Sequence, residues 1–230
     1  MNNISDEKKI RSLVAETLID INCVTFSPKK QFRLTSGKKS PVYCDCRRII
    51  SFPKERKKLI DYGIKLIKEK INLKKINSIA GGETAGIPFA SLISENLNLP
   101  MIYIRKEKKK FGRNSQIEGV IKNKENIILV EDLMTDGGSK LNFLEAIEKV
   151  GANIKAIFVI FNYGIVGDYF KFKKKKINVI YLTDWKFVLE AALRKKILDN
   201  TEIKSIEKFL SKSPNPALGL RAIRLTLAYP

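Results

Sequence analysis

The sequence predicts an α/β fold, in which helices cover both faces of a parallel, five-stranded, Rossmann-like sheet and a small hood precedes the sheet at the N-terminal end. Two observations support this fold class. From about residue 76 onward, short apolar runs alternate with amphipathic stretches of helical length, which is the pattern of strands joined by crossover helices. One of those runs, residues 127–130, is continuously apolar, as is typical of a strand buried on both faces.

The first seventy residues predict a helix, a hairpin and a second helix. Over about residues 5–21 apolar side chains recur at helical spacing, and acidic residues stand in the first turn, where the helix dipole favours them. Residues from about 24 to 48 contain short extended pieces around Gly37 and Pro41, which indicates a β hairpin. Pro53 then opens a helix, because proline is favoured at the first helical position. The predicted core face of that helix is Ile60, Ile64, Ile67 and Ile71.

The rest of the chain alternates between strand and helix. Strands are expected at about residues 76–80, 101–105, 127–131, 154–161 and 177–182. Helices are expected at about residues 86–97, 139–150, 185–197 and 201–211. Gly151 stands where a left-handed residue commonly ends a helix. We therefore expect one domain over residues 1–230, made of a helix and hood (about 1–50), an α/β core (about 51–200) and a C-terminal helix and tail (about 201–230).

Composition and charge exclude several classes of function. No stretch approaches the roughly 20 apolar residues that a membrane span needs, and the N-terminus lacks a secretory signal, so we expect a cytoplasmic protein with no membrane partner. The absence of histidine excludes a Ser-His-Asp triad, and the three cysteines are expected to be reduced. The net charge of +20 comes from lysines spread along the whole chain, so we interpret it as solvated surface and expect no nucleic-acid partner.

The most informative segment is the end of the apolar run at residues 127–130. Glu131 and Asp132 follow it directly, at the carboxyl end of a predicted strand, where open α/β sheets bind ligands. A turn that contains Gly137 and Gly138 comes next, and the start of the following helix offers free backbone N–H groups to a phosphate. Carboxylates for sugar hydroxyls beside a phosphate-binding turn fit a phosphorylated sugar.

This segment resembles the phosphoribosyl-diphosphate (PRPP) signature of the type I phosphoribosyltransferases. The resemblance implies that Glu131 and Asp132 bind the ribose hydroxyls and favour a sugar cation, and that residues 135–139 cradle the 5′-phosphate. The substrate contacts expected in this segment are Glu131, Asp132, Leu133, Met134, Thr135, Asp136, Gly137, Gly138 and Ser139.

A second segment, residues 32–47, resembles the N-terminal hood of the orotate phosphoribosyltransferases within that family. It carries a Ser-Gly turn, a Ser-Pro pair and then an aromatic residue. The resemblance implies that the strand after Pro41 lies over the pyrimidine, which puts Tyr43 and Cys44 at the base.

Two further segments complete the family's order. The turn within residues 78–90 matches the turn that touches pyrophosphate in the family, which implicates Thr84 and Ala85, and Glu83 beside them, chiefly through backbone. After it, residues 104–119 turn from a strand into a basic loop. The family resemblance implies that Arg105, Lys106 and Lys109 neutralise the departing pyrophosphate, and that this loop closes over the site of a neighbouring subunit. A homodimer whose loop is shared across the interface is therefore expected, with residues about 107–116 poorly ordered when no ligand is bound.

The chain departs from the family pattern at three places. Phe111 stands where many members have a histidine, Thr35 stands where many hoods carry a lysine, and Tyr163 is nearest to where many carry an arginine. The last departure removes an expected contact to the orotate carboxylate, so we assign Tyr163 to the base-binding region without a defined role.

The resemblance implies that orotate and PRPP react to give orotidine 5′-monophosphate and pyrophosphate, a step of pyrimidine biosynthesis. Lys109, Glu131 and Asp132 are the expected catalytic residues. Mg²⁺ is the expected cofactor, bound through substrate oxygens and water, and no protein side chain is assigned as a metal ligand. Two alternatives stay open: a phosphoribosyltransferase for a purine or another pyrimidine, and a non-catalytic nucleotide-sensing regulator that binds nucleic acid.

Overall fold

A computed structural model describes residues 2–33, 39–107, 116–134, 138–164 and 169–211 of the chain. The helices are α1 (Asn2–Asp20), α2 (Pro53–Lys70), α3 (Gly86–Leu97), α4 (Gly138–Lys149), α5 (Tyr169–Lys174), α6 (Trp185–Arg194) and α7 (Asn200–Ser211). The strands are β1 (Val24–Phe26), β2 (Phe32–Arg33), β3 (Lys39–Ser40), β4 (Val42–Cys44), β5 (Ser78–Gly82), β6 (Met101–Ile104), β7 (Ile117–Glu118), β8 (Asn126–Met134), β9 (Asn153–Asn162) and β10 (Asn178–Asp184). Two 3₁₀ helices cover Cys46–Ser51 and Leu73–Lys75.

The main sheet has six strands in the order β10-β9-β8-β5-β6-β7. The five strands from β10 to β6 are parallel, and β7 pairs antiparallel with β6 at the edge. After β5 the chain moves to one side through α3 to β6, whereas β8 and the later strands lie on the other side of β5. The strand order therefore reverses between β5 and β8, and ligands of open α/β sheets bind at such a switch point.

Two apolar layers cover the sheet. One layer packs α1, α2, α3 and α6 against one face, and the other packs α4 and α5 against the opposite face. Alternate residues of β8 serve the two layers: Ile128 and Val130 belong to the first, and Ile127 and Leu129 to the second. This explains why residues 127–130 are all apolar, since a strand buried on both faces has no position that faces water.

The hood is built from two short antiparallel pairs, β1 with β4 and β2 with β3. Its connection to α2 is tight, because the Asp45 side chain caps the first 3₁₀ helix by accepting the Arg47 N–H, and Pro53 begins α2. The hood is continuous with the core, since Cys23, Val42, Cys44 and Cys46 are buried in the same apolar layer as α1 and α2.

The fold class predicted from the sequence is confirmed in kind, and the number of strands differs by one. The predicted sheet had five strands, whereas the sixth, β7, is a two-residue edge strand that is too short to leave a periodic pattern. Neither the six-residue helix α5 nor the two 3₁₀ helices was predicted. The division into hood, core and tail stays a prediction, and residues 212–230 lie outside the described part of the chain.

Candidate active site

A cavity of about 320 Å³ lies at the switch point between β5 and β8. The hood closes one side of the cavity, and the carboxyl end of β8 forms its floor. The turn after β5 and Lys106, which follows β6, close another side. Its lining residues are Cys44, Asp45, Arg47, Glu83, Thr84, Ala85, Lys106, Glu131, Asp132, Leu133 and Lys140. Four segments that are far apart in the sequence thus meet at one place, as the order of parallel strands requires.

Glu131 and Asp132 both line the cavity, but neighbouring residues of a strand point to opposite faces. The Glu131 side chain lies toward α4, where its Oε2 is 2.8 Å from Nζ of Lys140. Both partners are buried, with side chains 8% exposed. Burial raises the pKa of the Glu131 carboxyl above its ordinary value, and the charge and hydrogen bond of Lys140 oppose that shift.

Asp132 lies toward the hood instead. Its Oδ1 accepts the backbone N–H of Leu133 at 2.8 Å, and the positive charge of Arg47 acts on it from the hood. Burial raises the pKa of Asp132, while the Leu133 N–H and the Lys140 charge act in the opposite direction. The two adjacent acids therefore have different surroundings: Glu131 is in an ion pair with Lys140, whereas Asp132 lies near the hood.

Two glycines make room for the Glu131 carboxylate. A Cβ at Gly82 would overlap with Oε1 of Glu131 and would lie 2.7 Å from its Cδ. A Cβ at Gly86 would overlap with the backbone carbonyl of Val130 and would lie 2.8 Å from the same Oε1. In the structure these two admit a neighbouring side chain of the site.

The turn after β5 is fastened to the end of β6. Glu83 donates its N–H to the carbonyl of Ile104, and its Oε2 accepts the N–H of Lys106 at 2.8 Å. The peptide bond between Glu83 and Thr84 is cis. The Lys106 carbonyl in turn accepts Nδ2 of Asn142 at 2.8 Å, which ties this strand end to α4. The start of the predicted basic loop is thereby anchored on both sides.

On the hood side, Arg47 forms a two-point ion pair with Asp45, with Nε–Oδ1 2.6 Å and Nη2–Oδ2 3.0 Å. This hydrogen bond is the largest of the effects that lower the pKa of Asp45. Sγ of Cys44 lies 3.6 Å from Sγ of Cys46, and both thiols are free and buried. The expectation that they are reduced agrees with this geometry.

The predicted aromatic residues lie around the cavity and do not line it. Tyr43 is 40% exposed, with its ring centroid 6.1 Å from that of Phe32. Tyr163 packs edge to face against Phe161 and Trp185, and its N–H bonds to the carbonyl of Met134. Burial raises the pKa of Tyr163, opposed by a hydrogen bond with the Cys44 backbone, so this tyrosine connects the end of β9 to the hood.

The other predicted site residues divide into four groups. Thr84, Ala85, Lys106 and Leu133 line the cavity, whereas Met134 is buried in the core and Arg105 lies beside Glu118, 3.8 Å away. Gly138 and Ser139 are the first residues of α4. Lys109, Thr135, Asp136 and Gly137 lie outside the described residues.

Three residues of the cavity, Asp45, Arg47 and Lys140, were missed by the sequence interpretation. Lys140 shares a helical face with Phe143, Leu144 and Ile147, which are all buried, and a lysine at such an apolar position was a usable signal. Arg47 was the basic member of an Asp-x-Arg pair directly after the hood strand. The family resemblance assigned no contact to any of the three.

Within the described ranges, no group of three or more Cys, Asp or Glu side chains could hold a metal ion. In the same ranges no helix is both long enough and apolar enough to cross a membrane.

The chain is similar to proteins of one enzyme family. The family model described as phosphoribosyl transferase domain matches residues 54–188. A relative from Rhizobium rhizogenes named orotate phosphoribosyltransferase is 40% identical over 208 residues, which cover 90% of each chain. A relative of the same name from Dinoroseobacter shibae is 42% identical over 91% of this chain and 93% of its own. The solved structure of the orotate phosphoribosyltransferase from Aeropyrum pernix superposes with a TM-score of 0.67 at 25% identity, over 77% of this chain and 96% of its own.

Proposed function

Because this chain belongs to the orotate phosphoribosyltransferases of the phosphoribosyl transferase domain family, we propose that it transfers the phosphoribosyl group of PRPP to orotate, giving orotidine 5′-monophosphate and pyrophosphate. The observation that carries the proposal is the cavity between β5 and β8. It joins the acidic pair of the signature, the turn after β5, a lysine at the end of β6 and the hood, in the arrangement that a phosphorylated sugar and a flat base require.

The reaction is a displacement at the anomeric carbon of the sugar. The bond from that carbon to the pyrophosphate oxygen breaks, a bond to the orotate nitrogen forms, and pyrophosphate leaves with the bonding electrons. Positive charge builds up on the sugar ring and negative charge on the leaving group. The protein therefore needs no covalent nucleophile, and its task is to hold both substrates in line and to stabilise these two charges.

The buried carboxylates favour the developing sugar cation. Asp132 and Glu131 are adjacent, buried residues at the end of β8, and a buried charge acts more strongly than a charge in water. Their oxygens are also the acceptors for the two ribose hydroxyls. Lys106, fixed by its backbone to Glu83, lies across the cavity and would meet the departing pyrophosphate. Lys109, from the segment outside the described residues, would assist it.

The 5′-phosphate would bind at the N-terminal end of α4. That helix begins at Gly138, directly after the signature turn, and its first backbone N–H groups have no partner within the helix. The partial positive charge of the helix end adds to this attraction for an anion.

The hood would cover the base and bind its carboxylate. Cys44 and Arg47 line the cavity from the hood, and a guanidinium can hold a carboxylate through two parallel hydrogen bonds. Arg47 already makes such a pair with Asp45, so a ligand carboxylate would compete for a group whose geometry is prepared. This supplies a cation where the chain lacks the family's arginine near Tyr163.

Magnesium would enter with the diphosphate of PRPP. The described residues contain no cluster of three carboxylates or thiols, and Glu131 is already paired with Lys140, which fits an ion held mainly by substrate oxygens and water. When bound, the ion would neutralise charge on the leaving group.

We further propose a cytoplasmic homodimer whose basic loop reaches the partner's site. The three buried, free cysteines support the location, because reducing compartments keep thiols unpaired. Static light scattering combined with an activity assay tests the assembly, and a fully active monomer would contradict the shared site.

Asp132→Asn and Lys109→Ala test the assignment of the reaction. Each should lower the kcat/KM for orotate by on the order of 10²-fold, because each removes one charge that acts in the transition state. The matched controls are Asp61→Asn and Lys68→Ala, both on the exposed side of α2. They should leave the kcat/KM for orotate within twofold of the unaltered protein. PRPP consumption with orotate, uracil, hypoxanthine or adenine identifies the base. If orotate turnover and PRPP binding survive in both variants, the proposed function is wrong.

A further inference from the structure

Lys140 is a buried lysine in the first turns of α4, and the proposed reaction assigns no role to it. It is only 6% exposed, although a lysine is almost never buried without a partner. The helical face that carries it is otherwise apolar, with Phe143, Leu144 and Ile147 packed against the sheet. A charge at this position loses most of its hydration, so its partners must compensate for that loss.

Those partners both belong to the PRPP signature. Nζ of Lys140 lies 2.8 Å from Oε2 of Glu131 and donates a hydrogen bond to the carbonyl of Leu133 at 2.7 Å. One ammonium group therefore bridges the last residues of β8 to the first turn of α4. The segment of the signature that receives the 5′-phosphate lies between these two anchor points in the sequence.

The Glu131 carboxylate depends mainly on this one cation. Its other oxygen, Oε1, has no hydrogen-bond partner among the described residues, and it lies against Gly82 and Gly86. Asp132 beside it repels its charge, and Lys106 attracts it more weakly than Lys140 does. Burial by itself favours the protonated form of this carboxyl and raises its pKa.

We propose that Lys140 is a positioning residue for the reaction: its ammonium fixes both the Glu131 carboxylate and the Leu133 carbonyl, and thereby sets the geometry in which PRPP is received. The inference rests on the proposed function, since it concerns the same site. Lys140 acts through Glu131 and the signature backbone, so its loss affects PRPP much more than orotate, which the hood receives.

Charge and geometry give the inference two separate readouts. A shift of the signature by about 1 Å lowers the affinity and the rate by up to about 10²-fold. Loss of the nearest cation leaves Glu131 with Asp132, which opposes its ionisation, and Lys106, which favours it. The other charged residues that line the cavity are Asp45, Arg47 and Glu83. The acidic limb of the pH profile for PRPP should then move to higher pH, because the carboxylate form becomes harder to reach.

The experiment compares Lys140→Met with Lys140→Arg and with Lys175→Met. Lys175 is the matched control, since it pairs with Glu148 at 2.6 Å on the exposed side of α4. We expect Lys140→Met to raise the Kd and the KM for PRPP about 10- to 100-fold, with the KM for orotate within twofold. Its acidic limb in kcat/KM for PRPP should rise by about one pH unit. Lys140→Arg should restore part of the PRPP affinity and part of the position of the acidic limb. Lys175→Met should change neither the PRPP affinity nor the acidic limb.

The outcomes separate this inference from the proposed function. If the unaltered protein shows no PRPP-dependent turnover with any base, the proposed function fails. If the unaltered protein is active and Lys140→Met behaves like Lys175→Met, only the positioning role fails. A Lys140→Met protein that loses stability while its KM for PRPP and its pH profile stay unchanged also overturns the inference, because Lys140 would then be a packing residue.

Discussion

Replacing Lys140 by methionine should destabilise the fold by an amount that depends on pH. The substitution keeps an apolar stem of similar length and removes the cation, which leaves Glu131 buried with no opposite charge within hydrogen-bond distance among the described residues. Such a carboxyl takes up a proton when that requires less free energy than keeping an unpaired buried charge. The free energy of protonation therefore sets an upper bound on the pH-dependent part of the destabilisation, to which loss of the hydrogen bond to the Leu133 carbonyl adds a part that does not depend on pH.

That bound follows from the ordinary pKa of 4.5 for a glutamate carboxyl. Each pH unit above this value adds about 1.36 kcal/mol to the free energy of keeping the group protonated. The bound is about 3.4 kcal/mol at pH 7 and about 0.7 kcal/mol at pH 5. The pH-dependent part lies below it, since burial already raises the pKa of Glu131 in the unaltered protein.

The sign follows from proton linkage. The folded variant holds a proton on Glu131 that the unfolded chain releases above about pH 4.5, so its stability falls as the pH rises. Urea unfolding of both proteins at pH 5 and pH 7 measures the difference. The exposed pair lost in Lys175→Met should contribute at most about 1 kcal/mol, with little dependence on pH in this range. Equal losses for Lys140→Met at the two pH values would refute the reasoning.

Three further predictions concern the site and its surroundings. Gly86→Ala should lower the affinity for PRPP in calorimetry at least tenfold, because its Cβ would overlap with the backbone carbonyl of Val130 and would lie 2.8 Å from the Glu131 carboxylate; an alanine that binds PRPP normally would contradict the packing argument. Arg47→Met should raise the KM for orotate about tenfold or more with the KM for PRPP nearly unchanged, and steady-state kinetics with each substrate varied would expose the opposite pattern. All three thiols should resist a thiol reagent at pH 8 in the folded protein and react after unfolding, because all are buried and burial raises the pKa of Cys23 to about 12; rapid labelling of the native protein would count against this.

The fold was predictable because its elements are strongly patterned. The helix predicted at 86–97 matches α3 residue for residue, and the strand predicted at 127–131 lies within β8. In both, apolar periodicity or a continuous apolar run agrees with local signals at the ends. The misses are short: β7 has two residues and α5 has six, and elements of that length carry no periodic signal.

The acidic pair was recognised from the sequence, but its surroundings were not. Glu131 and Asp132 were expected to face the sugar together, and that contact stays a prediction. Their different partners follow from the alternation of a strand, which puts α4 behind one side chain and the hood beside the other. Sequence order gives no direct information on which helix lies behind a strand end.

The sequence by itself determined the sheet, its helices, the signature at the end of β8 and the family to which these segments are similar. Each of those properties depends on residues that follow one another in a continuous stretch of the chain. Only the tertiary structure decided that Lys140 pairs with Glu131, that Gly82 and Gly86 make room for that carboxylate, and that Arg47 lines the same cavity. The physical reason is that a buried charge takes its partner from whatever the packing brings within about 3 Å, and residues from β5, α3, α4 and the hood meet there only once the strands are ordered around the switch point.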